Sequence, residues 1–221
     1  MCGKFTQQAN EAETIAVDMP PGTAPAGPQD TVTPMRFASV VCVNAAGARA
    51  VRRMRWGFVP ADALDQAKDG ARFIHARTET IDSKPTFRDA FVRRRGLVVV
   101  DSFNEGEEIA PKKTQQYVVT PVGRARLAIA VIWERWRGAG PVPLETFAMV
   151  TTPPNALIGT ITDRMPAVID DADWAVWLGE APATPDEIKA CLKPSDIAME
   201  MVRAGKPPPP PRPEPAQGSL F

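Results

Sequence analysis

The sequence predicts one domain of mixed strands and short helices, followed by a tail with no core of its own. Three observations carry this. Apolar residues make up 44% of the 221 residues, enough for one core of ordinary size. They fall in short β-branched runs bounded by Gly, Pro, Asn and Asp, with a few stretches of helical period between them. Near residue 204 the composition turns to proline, and Pro207 to Pro211 with Pro213 and Pro215 cannot pack a core. The domain is therefore expected over 1–203 and a disordered Pro-rich tail over 204–221.

The chain opens Met1-Cys2-Gly3. If Met1 is removed, Cys2 carries a thiol and an α-amine on neighbouring atoms. The amine has a reference pKa of about 7.7–8.0, so much of it is neutral at pH 7. An amine attacks an aldehyde to give an imine, and the thiol two bonds away can close on that carbon. Taken alone, a Cys at position two carries no function; later segments give it one.

Glu11 to Val17 reads as a short helix, and Met19 to Asp30, rich in Pro and Gly, as loop. Ala38 to Asn44 and Arg49 to Trp56 form a hairpin through Ala45-Ala46-Gly47. Period two puts Arg49, Arg53 and Arg55 on one face of the second strand and Arg52 on the other. That face is either solvated or turned to phosphate. Trp56 to Pro60 turns the chain, and Ala61 to Gly70 connects to Phe73–Thr80. Thr86 to Arg95 reads as a helix with Phe87 and Phe91 one turn apart, stopped by Gly96. Arg93-Arg94-Arg95 is either a C-terminal charge cluster on that helix or a DNA contact.

Leu97 to Val100 is an unbroken apolar run, hence a buried strand leading to Glu105. Strands are expected at Tyr117–Thr120, Ala125–Trp133, Phe147–Thr152, Ala167–Ile169 and Ile197–Val202. Asp170 to Gly179 is a helix with Trp174, Trp177 and Leu178 on one face. Thr184-Pro185-Asp186-Glu187 is a capping box opening a further helix that ends near Leu192.

Charge and cysteine use exclude several classes. Lys plus Arg equal Asp plus Glu at 26 each, so nucleic acid would need a local patch. Three cysteines without CxxC spacing and one histidine argue against a zinc site and a disulfide framework. No metal or cofactor is expected. Cys42 and Cys191, among apolar neighbours, read as buried structural thiols. No stretch has membrane-spanning length and no export signal opens the chain, so a cytoplasmic location follows.

Five segments then line up: MCGKF at the start, WGFVP at 56, HARTET at 75, SFNE at 102 and TDRMP at 162, with IAVIWERW at 129 and MVTTPPN at 149. In order and spacing the chain resembles the SOS-response-associated peptidase (SRAP) family from Met1 to about Val202. The resemblance implies an α+β fold, one compact domain around a strongly bent, mostly antiparallel sheet. It implies loss of Met1, binding of single-stranded DNA at the nucleoid, and capture of an abasic-site aldehyde by the exposed Cys as a thiazolidine. It also implies a thiol peptidase activity in members with a propeptide; none beyond Met1 is expected here.

Carried over, Cys2 matches the family nucleophile and Glu105 its glutamate, without the flanking Tyr and Trp. His75 stands where the family has Asn, and Thr162 where it has His. Lys4 replaces an Arg and is expected to bind DNA beside the nucleophile. Arg77 and Arg164 match family arginines and are expected at phosphates, with Trp56 and Phe58 as stacking faces for bases. Thr162 cannot act as an acid or base near neutrality. His75 either takes over proton transfer or hydrogen-bonds Glu105 in place of the Asn. The chain is then an abasic-site cross-linking protein with altered chemistry, or a single-strand tether that has lost it; nothing in the sequence signals a groove for a peptide cleaved in trans. A monomer is expected. At the tail's end, Gln217, Leu220 and Phe221 resemble the peptide that bacterial repair proteins insert into the sliding clamp, on a polyproline spacer.

Overall fold

Apolar side chains that alternate along two-sided strands set the architecture. A computed structural model describes residues 2–8, 29–64, 70–138 and 142–205. Its strands, in chain order, are β1 (Lys4–Gln8), β2 (Gln29–Val32), β3 (Phe37–Val43), β4 (Arg49–Trp56), β5 (His75–Arg77), β6 (Arg95–Val100), β7 (Ser102–Ala110), β8 (Lys113–Pro121), β9 (Leu127–Trp136), β10 (Leu144–Thr152), β11 (Met165–Pro166) and β12 (Met199–Arg203). Its helices are α1 (Pro85–Arg93), α2 (Trp174–Leu178) and α3 (Pro185–Ala190).

One sheet runs β12-β8-β7-β1-β2; the other runs β11-β10-β4-β3-β6-β9, with β5 also on β10. In the second, β9 pairs back onto β10, so β10, β4, β3, β6 and β9 close a ring. This closure is the strong bend that the resemblance implied. Most pairings are antiparallel; β10 runs parallel to β4 and to β5.

The ring strands send alternate residues to two cores. Val41, Leu97, Val99, Ala128, Ala130, Ile132, Ala148 and Val150 meet α1, α2 and α3 through Phe87, Phe91, Trp177 and Ile188. Val40, Val98, Val100, Leu127, Ile129, Val131, Phe147 and Met149 meet the five-stranded sheet through Phe5, Val32, Phe103 and Val119. Each fully buried Val, Leu, Ile, Phe or Met among them contributes about 1.5–3 kcal/mol. Cys2 belongs to this second core.

Several expectations shift on the structure. The hairpin of β3 and β4 stands, with Val41 opposite Val51 and Asn44 closing the turn through its side chain. The helix at 86–95 is α1 and ends at Arg93; Arg95 already begins β6. Gly96 does not stop the helix but lets strands approach, because a Cβ there would lie 2.7 Å from Val40 Cγ1 and 2.9 Å from the Val41 carbonyl oxygen. The three arginines belong to the helix end. Arg93 and Arg94 pair with Asp89, Arg94 also with Glu134, and Arg95 donates to the carbonyls of Phe91, Val92 and Trp177. The lead into Glu105 is itself a strand, β7, in a long hairpin with β8 whose charged residues hid it. The strand expected at Ala167–Ile169 lies earlier, at Met165–Pro166, with Val168 making one bridge to Ile129. The helix over Asp170–Gly179 is a 3-10 turn, Asp171–Asp173, and then α2, which Gly179 closes at φ +85°. The capping box at Thr184 forms, with Glu187 N–H donating to its Oγ1 and the Glu187 carboxylate returning to its N–H. The helix expected at Glu11–Val17 and the clamp-like tail lie outside the described residues. No helix of the described residues is long and apolar enough to cross a membrane.

Candidate active site

The site is assembled by β1. Its second residue, Phe5, is fully buried and pairs with Val32 on one side and Phe103 on the other. Lys4 lies opposite Asn104, so the residues before it run alongside Glu105. A Cβ at Gly3 would meet nothing within 4 Å, leaving that side of the chain open.

Cys2 is fully buried. Its Sγ donates to the Lys4 carbonyl at 3.4 Å. Burial first, and then the charge of Glu105, pushes the thiol up to about 12, against backbone groups of Lys4 and Asn104 that lower it. The thiol is therefore neutral at pH 7. Glu105 is also fully buried, and burial raises its carboxyl pKa. The positive charge of the chain's amino end opposes this first, and the nearby backbone N–H groups of Cys2 and Gly106 also lower it. The Glu105 carboxyl thus lies beside the candidate nucleophile.

His75 closes the other side. Its ring stands edge-on to Trp56, centroids 6.0 Å apart. Its Nε2 lies 2.8 Å from the Cys2 carbonyl oxygen. A carbonyl only accepts, so that nitrogen carries the proton and donates. Burial lowers the imidazole to about 4, with the chain's amino end adding to the fall and the Cys2 carbonyl resisting it. The bond expected from His75 to Glu105 goes to Cys2 instead.

Strand β10 gathers the remaining candidates. Thr151 is the register partner of Arg77 on β5 and of Pro166 on β11. Thr162 is half-buried, its N–H bonded to the Ile158 carbonyl at 3.1 Å, and among the described residues its hydroxyl has no hydrogen-bond partner. Arg164 is 7% exposed, is held in a two-pronged ion pair by Glu79, and donates to the Thr151 carbonyl at 2.6 Å. As placed, it braces the end of β10 and offers no surface to phosphate. Lys4 and Arg77 are exposed. Trp56 and Phe58 are both fully buried, which corrects their reading as stacking faces. Trp56 stacks on Phe147, leans on Phe5 and donates to the Ile74 carbonyl; Phe58 packs edge-on against Phe87.

Two contributors carry little signal in the sequence. Glu79, the partner of Arg164, is signalled only by an acid two residues after Arg77. Asn104 is 3% exposed, and among the described residues its side-chain nitrogen has no partner; its sequence signal is only an amide between Phe103 and Glu105. Cys42 and Cys191 are buried and free. Among the described residues no cluster of His, Cys, Asp and Glu could hold a metal.

The family model described as SOS response associated peptidase (SRAP) matches residues 1–206. The chain is 31% identical to the abasic site processing protein YoqW of Bacillus subtilis over 199 residues, covering 89% of this chain and 88% of that one. It is 31% identical to YoaM of the same organism, also named an abasic site processing protein, over 89% of this chain and 87% of that one. A crystal structure of a protein from Bordetella bronchiseptica superposes with a TM-score of 0.76 over 93% of this chain and all of that one, at 19% identity.

Proposed function

Since the chain belongs to the SOS response associated peptidase (SRAP) family, we propose that it captures abasic sites in single-stranded DNA through Cys2 once Met1 has been removed. The observation that carries this reading is the fully buried Glu105 beside Cys2: Lys4 is paired with Asn104, the charge of Glu105 raises the thiol, and the Cys2 N–H helps to lower the carboxyl. Loss of Met1 turns the Cys2 amide nitrogen into the α-amine, with a base already beside it.

The amine leads. It adds to the aldehyde carbon of the ring-opened sugar while Glu105 takes its proton. Glu105 returns that proton to the oxygen to complete the carbinolamine, then carries the second nitrogen proton to the hydroxyl, which leaves as water and gives the imine. The neutral thiol then gives up its proton to the imine nitrogen, and Sγ bonds the imine carbon to close a thiazolidine. Aldehyde plus cysteine yields thiazolidine plus water, with no oxidant or reductant. A thiol at about 12 makes a poor first nucleophile, which is why the order runs amine, then sulfur.

His75 acts as a positioning residue, its Nε2–H fixing the Cys2 carbonyl and so the direction of the amine. Thr162 supplies no acid for reopening the ring, so the adduct persists longer than where a His stands there. Lys4 and Arg77 contact phosphates of the strand. The same Cys2 and Glu105 serve the thiol autopeptidase activity associated with the family. The protein works as a cytoplasmic, nucleoid-associated monomer, and its last residues, Gln217, Leu220 and Phe221, dock on the sliding clamp.

The unpartnered Thr162 hydroxyl favours a second reading, a single-strand tether without chemistry. Two measurements separate the readings. Mass spectrometry of the purified protein reads whether Met1 is gone. Incubation with an abasic-site oligonucleotide and denaturing electrophoresis reads the adduct. A retained Met1, or no shifted band from processed protein, overturns capture. Absence of binding between a peptide of residues 213–221 and the cognate clamp at high micromolar concentration removes the docking role alone.

A further inference from the structure

The four arginines of β4 are not alike. Arg49 pairs with Glu180 at 2.6 Å and Arg52 with Glu145 at 2.6 Å, so two of the four charges are neutralised on the protein itself. Arg55 lies alongside Gly70, its Nη2 3.1 Å from where a glycine Cβ would stand. Arg53 is exposed, and no carboxylate among the described residues pairs with it. Arg36, exposed in the turn before β3, has none either. Its backbone is fixed, the N–H donating to Thr33 and the carbonyl accepting from Trp56.

Next to Arg36 in the chain stands Phe37, 46% exposed. It is directly opposite Arg55 in the β3–β4 ladder, with Arg53 one pair further along on the same face. Diagonal neighbours of this kind lie about 7–8 Å apart. An aromatic face with cations beside it, held by a paired strand, has the composition that binds a base and its flanking phosphates. The chain links the patch to the nucleophile's surroundings. Gly70 is packed against Met35 and Arg55, and His75, five residues later, holds Cys2. Five residues of chain span at most about 17 Å.

We propose that Phe37, Arg36 and Arg53 form a contact surface for single-stranded nucleic acid flanking the captured site, Phe37 stacking a base and the two arginines taking phosphates. This rests on the single-strand reading above and supplies the stacking face that the buried Trp56 and Phe58 cannot. Charge complementarity selects the occupant: a polyanion with exposed bases meets two uncompensated arginines around an open ring.

The test uses the full chain and an intact oligothymidylate without abasic sites, with binding read by fluorescence anisotropy across a salt series. Phe37→Ala should weaken binding by between about fivefold and a hundredfold, the range measured for loss of one stacked base. Phe37→Trp should restore it. Arg36→Ala with Arg53→Ala should lower the slope of log K against log salt by about 1.4, at about 0.7 for each phosphate no longer neutralised. All three positions are on the surface, and circular dichroism melting confirms that each variant folds. If wild type binds and Phe37→Ala binds equally well, this surface is refuted while the single-strand reading survives. If wild type fails to bind the oligonucleotide at all, the single-strand reading itself falls, and this surface with it.

Discussion

Replacing His75 with Asn should make the fold less sensitive to acid. In the wild type the imidazole is pushed from 6.5 down to about 4, chiefly by burial. The unfolded chain therefore binds a proton near pH 6.5 that the folded chain refuses until about pH 4. Stability from this group is complete above the unfolded value and is lost as pH falls through the window between the two. Integrated over the window, the loss is about 2 kcal/mol at pH 5 and about 3 kcal/mol at pH 4. An Asn in its place has nothing to titrate, and its amide can still donate to the Cys2 carbonyl. The raised carboxyl of Glu105 runs the other way, since its protonation favours the fold, but it is present in both proteins and largely cancels in the difference. The assay is urea unfolding of wild type and His75→Asn at pH 7.5 and pH 5. The wild type should lose about 2 kcal/mol more than the variant between the two conditions. If both lose the same amount, the imidazole is not held neutral, and its assignment as a fixed donor to Cys2 rather than a proton carrier is wrong.

Cys2→Ser should abolish the denaturation-resistant adduct while leaving an imine that borohydride traps; a band equally stable without reductant rejects the thiazolidine. Glu105→Gln should slow capture by about 10²–10⁴-fold, and wild-type capture should decline as pH falls through the raised carboxyl value, because the base form is consumed; quenched time courses give both. Gly96→Ala should cost about 1–3 kcal/mol in urea unfolding, since its Cβ would strike Val40 and the Val41 carbonyl; an unchanged midpoint means that the strands can part freely there.

The parts of the fold legible in the sequence are those written in local rules. The hairpin of β3 and β4 follows from period two and a turn, and α3 from its capping box. What stays hidden depends on partners distant in the chain. β1 reads as nothing special until Phe5 is seen between Val32 and Phe103. Gly96 looks like a helix stop because sequence does not show that Val40 and Val131 crowd it. The site divides in the same way. Cys2, Glu105 and His75 stand out by chemical type and spacing, and the structure brings them together. Their partners are not readable: the His75 proton goes to a carbonyl, a group every residue has, and Arg164 is claimed by a glutamate far from it in the chain. Trp56 and Phe58 show the converse, since an aromatic ring in a short motif does not announce whether it faces solvent.

The burial of Cys2 bears on what the cell's small electrophiles can reach. Peroxides, alkylating agents and disulfides all need a thiolate, and a sulfur held at about 12 in an apolar seam scarcely supplies one. So long as Met1 precedes it, its nitrogen is an amide and equally unreactive. On the proposed mechanism the unprocessed chain is latent in both atoms, and the two are released by different events: the nitrogen by a peptidase, the sulfur only by an imine already formed beside it. Under this arrangement selectivity for aldehydes needs no recognition of the aldehyde at all. It follows from the sulfur's being unavailable to everything that the nitrogen has not first bound.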